Sequence, residues 1–197
     1  QAARDYAEPG VLFWDRYIQE SPSDSYPLLR LVGVNACSEL GLSGEEACCL
    51  GALCLDRFID NPFTPQATFN MELFIECVGL GVRYLDDIIE IGFKKHPLPG
   101  QEEKARLGRR IGLGPTGIAD MFLSLGVTYG SDESLQLLDN IMKIKCEAEY
   151  RASIRLASER GSFPLFDPLL HYKRGVPSRL PQEIIQEGRN LGQRNVT

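Results

Sequence analysis

Basic residues are in the minority among the charged residues of this sequence, with 21 Lys and Arg against 27 Asp and Glu and a net charge of −6. A protein that holds nucleic acid by its phosphates needs a basic face, so nucleic acid is not an expected partner. No apolar run approaches the roughly 20 residues that a membrane span requires. Residues 1–5 contain neither a Met nor an apolar signal-peptide segment. We therefore predict a cytoplasmic protein that binds neither nucleic acid nor a membrane.

Histidine is also scarce, with His96 and His171 as the two examples. Neither has a partner at a catalytic spacing, so both are predicted to lie on the surface. The sequence contains no nucleophile elbow of the kind that serine hydrolases use. No histidine lies near the closely spaced cysteines to complete a zinc site, so no metal is predicted. The acidic pairs at 45–46 and 86–87 are predicted to be solvated.

Cysteine, in contrast, occurs six times, and in a reducing compartment such thiols stay free or act chemically. Cys37 is flanked at two residues on either side by Asn35 and Glu39. In an extended backbone, residues two apart point to the same side, so a thiol, an amide and a carboxylate would line one surface. The alternative is a cysteine that packs as a small apolar residue. The polar neighbours favour a reactive thiol at Cys37.

Cys48 follows Cys37 by eleven residues. Packing is again the alternative, as it is for Cys49 and Cys54, and a disulfide between the adjacent Cys48 and Cys49 would be strained. A simple thiol oxidoreductase that uses Cys37 and Cys48 alone is an alternative function. In that case the two thiols would form a disulfide readily, and the flanking Asn and Glu would be dispensable.

Three glycines, Gly112, Gly114 and Gly117, match the spacing of the dinucleotide-binding fingerprint. The residues before them do not form a clear strand pattern, and no acidic residue ends a second strand about 20 residues further on. We therefore interpret this segment as a tight turn from a strand into a helix.

Hydrophobic periodicity predicts an α/β fold in a single unit, residues 1–197, with both ends read as cut. Short apolar runs predict strands at 28–34 and 48–55. Helical spacing predicts helices at 70–93, at 118–125, from a cap at Ser131 to about Arg160, and at 181–188.

Several segments carry a family resemblance when they are taken in order. They are Pro-Gly-Val-Leu-Phe-Trp-Asp-Arg at 9–16, Asn-Ala-Cys-Ser-Glu at 35–39, Glu-Ala-Cys-Cys-Leu-Gly at 46–51, Arg-Ile-Gly-Leu-Gly at 110–114 with Gly-Ile-Ala-Asp-Met at 117–121, and Gly-Ser-Phe-Pro-Leu-Phe at 161–166. Together they resemble the catalytic subunit of ribonucleotide reductases, most closely the adenosylcobalamin-dependent class II branch.

The resemblance implies a role for each site residue. Cys37 would become a thiyl radical that abstracts the 3′ hydrogen of a ribonucleotide, and Glu39 would act as the base on the 3′ hydroxyl. Asn35 would hold the ribose hydroxyls. Cys48 would be one of two thiols that supply electrons and close into a disulfide as the 2′ hydroxyl leaves as water.

The same resemblance implies a fold, cofactors and partners. The fold would be part of a ten-stranded, helix-rich α/β barrel with the 35–39 loop at its centre. Adenosylcobalamin and an external dithiol reductant, similar to thioredoxin, would serve a ribonucleotide substrate. The second redox thiol and the phosphate loop would come from other segments or chains of the reductase. A relic or split subunit that acts by assembly with a partner chain is the non-catalytic alternative.

Overall fold

The computed structural model describes residues 1–196, so Thr197, the last residue of the predicted unit, lies outside it. This part of the chain contains eight α-helices and six short strands. The helices are α1 Ala2–Tyr6, α2 Trp14–Glu20, α3 Met71–Gly92, α4 Pro99–Gly108, α5 Ile118–Leu125, α6 Asp132–Arg160, α7 Pro168–His171 and α8 Gln182–Leu191. The strands are β1 Gly33–Val34, β2 Gly41–Leu42, β3 Cys49–Cys54, β4 Ile59–Asp60, β5 Thr68–Phe69 and β6 Ile111–Thr116.

The two longest strands, β3 and β6, form a parallel pair in which Cys49 is opposite Ile111 and Cys54 is opposite Thr116. Parallel neighbours need a crossover connection, and α3 and α4 lie between these strands in the chain. Two short antiparallel pairs, β1 with β2 and β4 with β5, complete the sheets. The fold is therefore mixed α/β and rich in helix, as predicted. Within residues 1–196 the strands form three separate two-stranded sheets and no closed barrel.

The long helices begin and end where the sequence predicts. The Asn70 side chain accepts a hydrogen bond from the Leu73 amide at 3.0 Å and so caps the start of α3. At the start of α6, the Ser131 hydroxyl accepts from the Ser134 amide at 3.2 Å. Gly161 ends α6 at a φ of 84°, a left-handed value that glycine adopts without strain. Among described residues, no helix combines the length and apolar character needed to cross a membrane.

The apolar core lies between α3, α6 and the β3–β6 pair. Along α3 the buried residues recur every three or four positions, which places them on one face of the helix. They are Phe74, Val78, Val82, Leu85 and Ile89. A separate cluster holds α8 against α6 and contains Tyr150, Ile154, Tyr172 and Ile184. The β3–β6 pair is thus fixed from one side by long, well-packed helices.

The predicted strand at 28–34 is wrong over most of its length. Residues Pro27–Leu29 form a 3-10 turn, which a proline at its first position favours, and the chain becomes a strand at Gly33. This short strand turns back at once and pairs antiparallel with Gly41–Leu42. Residues 35–40 therefore form the tip of a hairpin and are not an extended continuation of a long strand.

Candidate functional site

The hairpin tip is held by bonds that involve two of the predicted site residues. The Asn35 side-chain oxygen accepts from the Leu40 amide at 3.1 Å, and the Ser38 amide donates to the Asn35 carbonyl at 3.0 Å. The Asn35 side-chain amide donates to a Glu39 carboxylate oxygen. Ser38 has a φ of 63°, so the backbone reverses sharply at this residue. The turn thus joins Asn35 and Glu39 directly.

Cys37 is exposed at this tip, with Glu39 also exposed and Asn35 half-buried. The expectation that an extended backbone brings these groups together is wrong, because the segment is a turn. The amide and the carboxylate nevertheless meet, through the reversal of the chain. Cys37 is consequently a thiol that an outside reactant can reach.

A groove of about 600 Å³ lies between the hairpin tip and the β3–β6 pair. Glu39 and Leu40 line it from the hairpin. The strands line it with Leu50, Gly51, Ala52, Gly112, Leu113 and Gly114. A side chain on Gly51 would point at Leu85 on α3, so Gly112 and Gly114 are the glycines that leave the groove face of the strands open. Glu39 and the β3–β6 pair therefore line the same groove.

Cys48 lies at the entrance to β3, one residue before the strand begins. A Cβ atom on Gly112 would lie 3.2 Å from the Cys48 sulfur, so the sulfur fits against the side of β6 where Gly112 has no side chain. Burial raises the pKa of Cys48 to about 12, and the charge of Glu39 adds to the rise. Cys48 does not line the groove itself: it lines a neighbouring cavity with Cys49 and His96, and it adjoins the groove residue Gly112. It is free, like the other five cysteines.

Glu46 and Arg110 form a buried ion pair beside Cys48. The sequence interpretation missed this pair. Arg110 Nε lies 2.7 Å from Glu46 Oε1, and each side chain is 1% exposed. Arg110 Nη2 donates to Glu46 Oε2 at 3.2 Å, so the contact is bidentate. The prediction of solvated acidic residues is therefore wrong for Glu46, while Glu45 is exposed.

The glycine-rich segment is a strand followed by a turn, as interpreted. Gly112 and Gly114 lie inside β6, and Gly117 makes the turn into α5 with a φ of 69°. A Cβ on Gly117 would lie 2.6 Å from an Asp56 carboxylate oxygen. That carboxylate would repel a phosphate. Within residues 1–196, no group of three or more potential metal ligands is present.

The family model described as "Ribonucleotide reductase, barrel domain" matches residues 1–188. The chain belongs to the ribonucleotide reductase family. It is 34% identical over 182 residues to a vitamin B12-dependent ribonucleoside-diphosphate reductase of Mycobacterium tuberculosis (strain CDC 1551 / Oshkosh), which covers 92% of this chain and 25% of that protein. A vitamin B12-dependent ribonucleoside-diphosphate reductase of Thermoplasma acidophilum is 30% identical over 173 residues, covering 88% of this chain and 22% of that protein.

Relatives of the ribonucleotide reductase family also include a ribonucleoside-diphosphate reductase subunit alpha of Chlamydia pneumoniae. It is 28% identical over 192 residues, which cover 95% of this chain and 17% of that protein. The chain thus spans about a quarter or less of the length of these reductases. The matched family region includes the hairpin, the groove and Cys48.

In this reductase-family chain, a second buried charge cluster ties the elements behind the groove together. Asp86 on α3 is 0% exposed in its side chain and lies 2.6 Å from Arg109 Nη2. Arg160 Nη1 and Arg194 Nε each lie 3.2 Å from its other oxygen. Burial alone would raise the pKa of Asp86, but Arg109 and Arg194 outweigh it and hold that pKa below its usual range. The prediction of a solvated position is wrong for Asp86.

His171 is also misplaced by the sequence prediction, because it is fully buried. Its ring lies among aromatic rings, with centroid distances between 5.0 and 6.3 Å. They belong to Tyr26, Tyr150, Phe163, Phe166 and Tyr172. Neither ring nitrogen has a hydrogen-bond partner among described residues. Burial lowers the pKa of His171 to about 3, so the ring is neutral at pH 7. His96, in contrast, is partly exposed.

Proposed function

We propose that the chain carries the radical site of a ribonucleoside-diphosphate reductase, with Cys37, Glu39, Asn35 and Cys48 in the roles that the family resemblance implies. The observation that supports this most is the shared groove. It is lined by the Glu39 carboxylate on one side and by the strand pair that Cys48 adjoins on the other. A ribose in that groove would lie beside Glu39 and against the strand pair that Cys48 adjoins.

Each proposed step follows from the chemistry of one residue. A Cys37 thiyl radical takes the 3′ hydrogen atom and becomes a thiol, while Glu39 accepts the 3′ hydroxyl proton. The 2′ hydroxyl leaves as water, with two electrons and the required protons supplied by Cys48 and a second thiol, which close into a disulfide. Cys37 then returns a hydrogen atom to C3′. The sum is one ribonucleotide and one dithiol converted to a deoxyribonucleotide, a disulfide and water.

Asn35 has the hydrogen-bonding capacity for the role of ribose ligand. Its side-chain oxygen and amide are engaged with Leu40 and Glu39, so it holds the carboxylate in place and has a second amide hydrogen to donate. We expect that donor to bind a ribose hydroxyl.

Adenosylcobalamin is the proposed cofactor, since two of the relatives above are named as vitamin B12-dependent. The exposed position of Cys37 fits this group, because a large cofactor must approach the sulfur from outside the hairpin. Cys37 is the residue that would face it. When bound, the cofactor supplies the oxidising equivalent that converts a thiol to a thiyl radical.

The remaining segments of a ten-stranded barrel are the proposed partner of this chain, together with a thioredoxin-like dithiol. The β3–β6 pair supports this, since neither strand pairs with a third one within the described range. An unpaired strand edge is a template for another strand. Leu50, on β3, is also 57% exposed. The same observation favours the non-catalytic alternative, a split subunit whose role is assembly.

Deoxyribonucleotide formation tests the proposal. The chain is mixed with a complementary fragment that supplies the rest of the barrel, adenosylcobalamin, a dithiol and a ribonucleoside diphosphate. We expect product from the unmodified chain and none from Cys37→Ala, with strong losses in Glu39→Gln and Asn35→Ala. Full activity in Cys37→Ala would overturn the radical role.

Two other outcomes separate the alternatives. Binding of the fragment without product under any condition supports the assembly role. Thiol oxidation that persists in Glu39→Gln and Asn35→Ala supports a simple thiol oxidoreductase.

A further inference from the structure

The Glu46–Arg110 pair is placed where it can act on the sulfur of Cys48. Cys49 is opposite Ile111 in the parallel pair, so one step earlier Cys48 is the lateral neighbour of Arg110. Glu46 lies two residues before Cys48. The Ser43 amide donates to Glu46 Oε2 at 2.8 Å, which connects the pair to the end of the hairpin. The end of the hairpin, the residues that lead into β3 and the start of β6 thus meet at one ion pair.

The pair is not fully satisfied within the described part of the chain. Arg110 Nη1 is buried and has no hydrogen-bond partner among residues 1–196. A buried cationic donor without a partner is costly, so its presence calls for an explanation. The sulfur of Cys48 carries no charge as a thiol, and it becomes an anion when it is released from a disulfide. An anion at that sulfur is the chemistry that a spare guanidinium donor matches.

We propose that Arg110 is a positioning residue that stabilises Cys48 as a thiolate during reduction of the redox disulfide, and that Glu46 holds the guanidinium in place and limits its effect. This inference rests on the proposed redox role of Cys48. An external dithiol, as its thiolate, attacks the second sulfur of the disulfide. The S–S bond breaks and its electron pair leaves on Cys48, beside Arg110. The other thiolate of the dithiol then attacks the dithiol sulfur of the mixed disulfide, which closes the dithiol into a disulfide and releases the second cysteine. Cys48 and the second cysteine each take up a proton.

The charges that face Cys48 act in opposite directions. Burial is the largest effect and raises its pKa; Arg110 lowers it, and Cys49, Glu46 and Glu39 raise it further. His96 lines the same small cavity, of about 200 Å³, together with Cys48 and Cys49. The two members of the ion pair therefore oppose each other at Cys48, so removing one or the other has effects of opposite sign.

Alkylation kinetics test this inference. The rate of iodoacetamide reaction at Cys48 is followed by peptide mass spectrometry between pH 7.5 and 9.5, where the rate is proportional to the thiolate fraction. We expect Glu46→Gln to raise the rate about tenfold and Arg110→Met to lower it about tenfold, each equivalent to about one unit of pKa. Arg110→Lys should restore most of the rate.

A merely structural role gives a different result. If the pair only held the strands together, both variants would expose Cys48 and both would react faster. That result would overturn the proposal, as would an unchanged rate in Glu46→Gln, the variant that preserves shape best. Cys146 is the internal control, since burial raises its pKa to about 11 and neither Glu46 nor Arg110 is among the charges that shift it.

The rates need neither nucleotide nor cofactor, so this inference and the proposed function fail separately. An inactive chain can still show the opposite shifts, and an active one can lack them.

Discussion

The hairpin tip and the strand pair beneath it hold their polar groups in opposite ways. At the tip, Cys37 and Glu39 are exposed and a single turn of hydrogen bonds sets their geometry. Beneath it, Glu46, Arg110 and Asp86 are buried and paired. Under the proposed function, the exposed tip would meet the reactants, and the buried ion pairs would hold in place the surface that the tip faces. Substitutions beneath the tip should lower the free energy of unfolding, and substitutions at the tip should lower catalytic activity.

The largest expected effect is at Asp86. Asp86→Ala leaves three arginines without their buried carboxylate, and we expect a loss of about 3–5 kcal/mol in the free energy of unfolding. Urea denaturation followed by circular dichroism measures this. The matched control is Asp87→Ala, one residue along, whose side chain is 44% exposed and should change stability by about 1 kcal/mol or less. Equal losses in the two variants would contradict the assigned difference in burial.

His171 should make the buried region sensitive to acid. Its pKa in the fold, about 3, is below that of the unfolded chain, so below pH 6.5 the unfolded chain binds a proton that the folded chain does not. The contribution of the neutral His171 ring to the free energy of unfolding is therefore fully present above pH 6.5. It falls by about 2 kcal/mol by pH 5. Urea denaturation at both pH values checks this. His171→Phe should remove most of that fall, and an equal fall in the variant would show that other groups cause it.

A substitution at Gly112, which lies between the groove and Cys48, should have a smaller effect on stability. In Gly112→Ala the new Cβ lies 3.2 Å from the Cys48 sulfur and 2.7 Å from Leu50 Cδ2, so both side chains must move. We expect a loss of about 1 kcal/mol and altered alkylation of Cys48. Gly114→Ala is the control on the same strand, where the nearest atom would be 3.9 Å away. If the control perturbs Cys48 equally, crowding at the sulfur is not the cause.

Tyr17 should have the smallest effect on stability. Its hydroxyl donates to the Ser38 carbonyl at the hairpin tip, and Tyr17→Phe removes that bond for about 1 kcal/mol or less. The change should appear locally, as faster amide hydrogen exchange in residues 35–40 with little change in α3. Faster exchange throughout α3 would mean that the tip and the buried region are not separable.

The sequence predicts the local features of this fold well. Asn70, Ser131 and Gly161 mark helix ends because caps and left-handed glycines act within a few residues. The candidate residues Asn35, Cys37 and Glu39 were proposed from their spacing, and their catalytic roles stay a prediction. The structure brings Asn35 and Glu39 together, although through a turn and not through the extended backbone assumed for them. Cys48 was proposed from its sequence distance to Cys37 and the surrounding resemblance, and its redox role stays a prediction.

What the sequence does not reveal depends on distant partners. Asp86 is buried because Arg109 and Arg194 reach it from 23 and 108 residues away, and no local pattern contains that information. Glu46 is paired with Arg110 across 64 residues. His171 is enclosed by rings from four separate segments. Each looks like a surface residue until the packing is known.

The distance between Cys37 and Cys48 tests the central claim most directly. In a variant that keeps these two thiols, with Cys49, Cys54, Cys77 and Cys146 replaced by Ala, a bifunctional thiol reagent of about 10 Å attached at Cys37 should capture Cys48 by its high effective concentration. The control variant keeps Cys37 and Cys146, which lies on α6 in the separate α8 cluster. We predict an intramolecular cross-link in the first variant and none in the second, detected by the mass of the linked peptides. Cys48 modified without any link to Cys37 would contradict the placement of the hairpin tip over the start of the β3–β6 pair, where Cys48 lies.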